Sequence, residues 1–151
     1  MNALAVKPAI LASTPGRQVR RAHMRLNRTV RNTIARYGIG IGEFQLLRAL
    51  YHIDGLTQTE LSDEVEVEHG ALTRLFHSME ATGFIRRERD ADDFRKRHVF
   101  LTARGKALRA PLLKAAESIN AAACSGISSA DVAITLRVLD RIVENLDGWK
   151  P

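Results

Sequence analysis

Thr73, Arg74 and His77 follow Gly70 at helical spacing, and each carries a group suited to nucleic acid. Arginine gives a bidentate contact to guanine or clamps a phosphate, and threonine reaches a phosphate or a thymine methyl. Histidine donates to a base acceptor. His69 lies in the same first turn, and Gly70 lets a helix approach a groove closely. Further along, six cations (Arg86, Arg87, Arg89, Arg95, Lys96, Arg97) outnumber four acids (Glu88, Asp90, Asp92, Asp93), a net of +2 within one short stretch. Other chemistry is poorly served. His23, His52, His69, His77 and His98 include no pair at the i, i+4 spacing of a metal site, and no phosphate loop or nucleophile elbow occurs. The expectation is therefore no catalytic set, no metal and no cofactor.

Several elements must position these groups. Thr57-Gln58-Thr59-Glu60 has the form of a capping box, which fixes the start of a helix. The next helix is expected from Glu68 to Thr82, with Leu72, Leu75, Phe76 and Met79 as its core stripe and Gly83 as its stop. Subtracting that stripe leaves Gly70, Thr73, Arg74, His77 and Ala81 facing away from the protein. Phe84 to Glu88 and His98 to Leu101 alternate as two strands of a hairpin. Thr102 then caps a helix running to about Cys124, with Pro111 kinking it or lying in its first turns. Two short helices, a hairpin and a basic tip are the parts of a winged-helix reader of duplex DNA.

Long helices stand on either side. From Arg17 to Tyr37 the residues Val19, Ala22, Leu26, Val30, Ile34 and Tyr37 form one apolar stripe, opposite Arg17, Arg20, Arg21, Arg25, Arg28 and Arg31. The alternation Gly38-Ile39-Gly40-Ile41-Gly42 reads as a cap and turn before a helix from Glu43 to Ile53. Ser128-Ser129-Ala130-Asp131 opens a last helix in which Val132, Leu136, Leu139, Val143 and Leu146 keep a heptad-like spacing. The fold class expected is mainly α with a small β-hairpin wing, a winged helix-turn-helix flanked by dimerisation helices. Residues 1–16 are expected to form a flexible tail, 17–37 and 103–148 the helical dimerisation region, and 38–102 the DNA-binding region.

The composition agrees with a polyanionic partner. The 151 residues carry a net charge of +6 and a pI near 10.1. A single cysteine, Cys124, excludes an intrachain disulfide and fits a reducing cytoplasm; it is expected to be a buried structural thiol. No apolar run approaches the roughly 20 residues that span a bilayer.

Asp93-Phe94-Arg95, followed by Val99, Leu101-Thr102 and Gly105, resembles the wing of MarR-type transcriptional regulators. Leu61 to Ile85 is similar as well, with Leu72-Thr73-Arg74 and Gly83-Phe84-Ile85 in place, and the likeness covers Arg17 to about Leu146. It implies that Asp93 braces the wing while Arg95 enters the minor groove, with Lys96 or Arg97 on phosphate. It also implies a two-fold homodimer on a pseudo-palindromic operator, acting as a ligand-responsive repressor. The effector would be a small aromatic or anionic molecule near His23, Tyr37, Phe44, Leu47 and Tyr51. Three departures stand out: Glu66 for the turn glycine, Glu68 for a small hydroxyl residue, and Phe94 for a basic one. The other readings are a low-specificity architectural DNA-binding protein and, behind it, a small enzyme.

Overall fold

Thr57 starts the helix pair by reciprocal capping. Its hydroxyl accepts from the Glu60 amide at 3.2 Å, and the Glu60 carboxylate accepts from the Thr57 amide at 2.7 Å. Two otherwise unpaired donors of the first turn are thereby satisfied. In the computed structural model of the chain, which describes residues 14–65 and 69–150 (of His69 only the backbone), this box opens a seven-residue helix.

The elements in chain order are α1 (Pro15–Ile34), a 3-10 turn (Ala35–Tyr37), α2 (Ile41–His52), α3 (Gln58–Glu64), α4 (His69–Ala81), β1 (Ile85–Arg89), β2 (Arg97–Leu101), α5 (Ala103–Ala107), α6 (Arg109–Ala123) and α7 (Ser129–Asp147). The described residues are mainly helical with one two-stranded antiparallel sheet. Glu66, Val67 and Glu68, two of them the departures noted above, lie outside the described residues, as does the tail before Thr14.

Differences from the expected boundaries have local causes. The first helix ends early, tightening into a 3-10 turn that Gly38 closes in the left-handed conformation at φ 71°. The helix expected over 103–124 is two helices. Pro111 has no amide proton, so the carbonyl of Ala107 loses its helical partner, and the ring crowds that same carbonyl. The break falls there, with α5 ending at Ala107 and Pro111 placed in the first turn of α6. Cys124 is a correction. It stands one residue beyond α6, where the chain turns toward the left-handed Gly126, and it is exposed rather than buried.

The described chain divides into two compact units, one up to Ala116 and one from Glu117. The first unit holds the core, in which Ile34, Leu46, Leu47, Leu50, Leu61, Phe76, Met79, Ile85, Val99 and Leu112 are almost wholly buried. Each such side chain stabilises the fold by about 1.5–3 kcal/mol relative to exposure. The hairpin packs one face on this core, placing Ile85 opposite Leu101 and Arg87 opposite Val99. Two glycines allow close approaches. A β-carbon on Gly105 would sit 2.2 Å from the Phe84 carbonyl oxygen, and one on Gly55 would sit 2.6 Å from the Phe100 ring.

The second unit contains the end of α6 and all of α7. Ser128 caps α7 by accepting from the Asp131 amide at 3.1 Å. No residue of α7 is buried, and Ile134, Leu136, Val138, Val143 and Leu146 are largely exposed. Among the described residues, no helix is long and apolar enough to cross a membrane.

Candidate nucleic-acid interface

α4 has two faces. Leu72, Phe76 and Met79 are buried in the core, while Gly70, Thr73, Arg74, His77, Ser78 and Ala81 are exposed. Gly70 has open space around it. The exposed face therefore contains the sequence-derived candidates Thr73, Arg74 and His77, with Ser78 as an addition.

The hairpin is tied to this helix by a contact that sequence reasoning missed. The Arg87 guanidinium donates to Glu80 at 3.0 and 2.5 Å, and the Arg87 amide donates to the same carboxylate at 3.3 Å. These charge-assisted bonds hold the Glu80 carboxyl below its usual range. Arg87 also lies 3.3 Å from His77 Nδ1. A guanidinium cannot accept, so Nδ1 is the acceptor in this contact.

Arg87 is thus a structural cation, only 9% exposed, and Arg86 is paired with Glu88 and stacked 4.7 Å over the Phe100 ring. Arg86 keeps an exposed side chain despite that pairing, and the other exposed cations of the wing are Arg89, Arg95, Lys96 and Arg97.

The tip is built on two aspartates. Asp90 accepts from the amides of Asp92 and Asp93 at 2.8 and 2.9 Å through one carboxylate oxygen. Asp93 accepts from the Arg95 amide at 3.1 Å, and the Asp93 carbonyl accepts from the Lys96 amide at 2.8 Å. These bonds set the backbone that presents Arg95. Phe94 is 73% exposed at the same tip.

In the sequence Asp90 is one acid of a charged run, and His98 is a histidine without a partner at metal-ligand spacing. The structure joins them at 2.7 Å, Asp90 Oδ2 to His98 Nε2. The signal in the sequence was the Asp90-Ala91-Asp92-Asp93 run, a spacing at which an aspartate caps the amides that follow it.

The five residues expected around an effector are spread out. Leu47 is fully buried, Tyr37 and Phe44 are half-buried against the core, and His23 is exposed and bonded to Asn27. Only Tyr51 of the five lines an open cavity of about 640 Å³, shared with Gln45, Arg48, His52, Glu64 and Arg109. The Tyr51 hydroxyl donates to the Gly105 carbonyl at 2.8 Å, and burial pushes its pKa up to about 12 despite the nearby Arg109.

Residues 37–96, which hold α2, α3, α4, β1 and the wing tip, match the family model described as the MarR family. This segment is similar to the MarR family. Its fold is the MarR winged helix: a MarR transcriptional regulator from Methanosarcina mazei Go1 superposes with a TM-score of 0.78 at 29% identity, over 86% of this chain and 94% of that one. A MarR mutant from E. coli complexed with operator DNA has the same fold, with a TM-score of 0.78 at 21% identity over 84% of this chain and 91% of that one. In sequence, the HTH-type transcriptional regulator TtmR of Methylorubrum extorquens is 32% identical over 82 residues, 54% of this chain. The match spans 42% of TtmR, so it covers less than half of that relative's length. The relatives that the chain matches are transcriptional regulators.

Proposed function

We propose that the protein is a sequence-specific DNA-binding transcriptional regulator, a ligand-responsive repressor that acts as a homodimer on a pseudo-palindromic operator. The observation that carries this reading is one helix with two faces. α4 buries Leu72, Phe76 and Met79, exposes Thr73, Arg74 and His77, and is tied through Glu80 and Arg87 to a hairpin with exposed Arg95, Lys96 and Arg97. In the proposed complex α4 lies in the major groove with its first turn, from His69 and Gly70, close to the DNA and with Thr73, Arg74 and His77 toward the bases. The wing lies along the backbone, with Arg95 in the minor groove and Asp93 bracing it.

Support for the dimer comes from apolar side chains that lack cover among the described residues. α7 has no buried residue, and Val19, Met24 and Leu26 of α1 are at least 40% exposed. A second copy of the chain would cover such faces. Support for an effector comes from the cavity beside Tyr51, where Arg48, His52 and Arg109 favour a small anionic or aromatic molecule. A gel-shift titration on duplexes recovered by selection tests the proposal. Saturable binding of a dimer to one recovered duplex supports it, and equal binding of all duplexes by a monomer would sink it.

A further inference from the structure

His98 is held between two acceptors. Its Nδ1 lies 2.8 Å from the carbonyl oxygen of Gly55, in the loop before α3, and its Nε2 lies 2.7 Å from Asp90 Oδ2, at the base of the wing tip. A backbone carbonyl and a carboxylate can only accept, so both ring nitrogens must donate. That requires the imidazolium. The other oxygen of Asp90 accepts from the amides of Asp92 and Asp93, and Asp93 in turn accepts from the Arg95 amide. One continuous chain of bonds therefore runs from the α2–α3 loop through the two N–H groups of the imidazolium to the backbone that carries Arg95.

We infer that His98 and Asp90 are positioning residues for DNA binding, forming a proton-dependent clamp that holds the wing tip in its DNA-reading conformation. The inference rests on the proposed role of the wing. Neutral His98 has one donor for two acceptors, so on deprotonation the clamp loses either its Gly55 or its Asp90 bond.

Several charged groups surround the imidazole. Glu88 is its cross-strand partner and is itself paired with Arg86, which stacks on Phe100. Glu60 on α3 and Asp90 favour the charged ring, while Glu60 is also drawn on by Thr57 and Lys96. Bonding to Asp90 first, then to Gly55, raises the His98 pKa above its ordinary 6.5, and bonding to His98 lowers Asp90 to about 2. The signs follow. The contribution of His98 is complete below pH 6.5 and disappears as pH rises through its raised pKa. That of Asp90 is complete above pH 3.8 and disappears toward pH 2. The clamp is closed between these limits and opens on the alkaline side.

The test combines two measurements on the full chain: the protonation of His98 by ¹⁵N NMR, and the affinity for a duplex recovered from a random library, from pH 5.5 to 9. Wild-type affinity should fall as His98 loses its proton, with a slope of at most roughly tenfold per pH unit for one proton. His98→Gln should remove that step. Asp90→Asn should move the His98 titration to lower pH and abolish the alkaline fall in affinity, since an amide can donate to the neutral ring while still accepting from the amides of Asp92 and Asp93. A His98 that titrates while binding stays flat with pH would overturn the clamp and leave DNA reading intact. A step that persists in His98→Gln would assign it to another group and overturn the clamp equally. Failure to bind any duplex at any pH would overturn the reading of the wing itself, and the clamp with it.

Discussion

Arg74 stands between the buried Leu72 and Phe76 yet is itself exposed, which makes it the sharpest single-residue test of α4. Arg74→Ala should leave thermal stability nearly unchanged while costing about 1–3 kcal/mol of operator affinity if the guanidinium reads a guanine. Loss confined to sites that keep that base marks direct readout, and uniform loss marks a phosphate contact. Unchanged binding to every duplex would remove Arg74 from the interface. Arg95 differs, because its amide is fixed by Asp93 and its side chain is free of the Glu80 and Glu88 pairings that occupy Arg87 and Arg86. Arg95→Ala should weaken binding and lower the salt-dependence slope by roughly one, as one fewer counterion is released. An equal slope in the variant would exclude that contact. At this scale the sequence was informative about exposure and uninformative about pairing. The stripe of α4 separates Arg74 from Phe76, whereas the partner of His98 on Gly55 is 43 residues away, beyond any local pattern.

At the scale of elements, legibility follows the range of the interactions. Thr57 with Glu60 and Ser128 with Asp131 are contacts across three residues, so both helix starts could be read from composition and spacing. Pro111 likewise announces a disturbance, although its place at the break between α5 and α6 depends on which carbonyl its ring crowds. The attachment of the hairpin to α4 through Arg87 was hidden, since an arginine in a basic run looks solvated until Glu80 is brought beside it. Gly105 was legible as part of a motif, and the structure supplies its reason in the Phe84 carbonyl. Gly105→Ala should therefore destabilise the fold by about 1–3 kcal/mol, because the obstacle is backbone and cannot rotate away. Chemical denaturation would register this as a lowered midpoint with unchanged slope. A midpoint equal to wild type would show that the two segments separate without cost.

For the whole molecule, the question is what covers the outer helices. α7 exposes Leu139 at 37% and Val143 at 57%, and among the described residues neither is buried. Replacing both with lysine should give a folded monomer by light scattering, whereas the unaltered chain should be a dimer at micromolar concentration. A wild-type monomer would contradict the pairing directly. The heptad-like spacing announced an apolar face but could not say whether it packs inside the chain or against a second copy. The central claim, that two copies of α4 read two related half-sites, is tested most directly by selection from a random duplex library with the full chain. The account predicts enrichment of a pseudo-palindrome whose half-site centres lie about one helical turn, roughly 10 base pairs, apart. A library that emerges without any enriched motif, bound with uniform affinity, would contradict it.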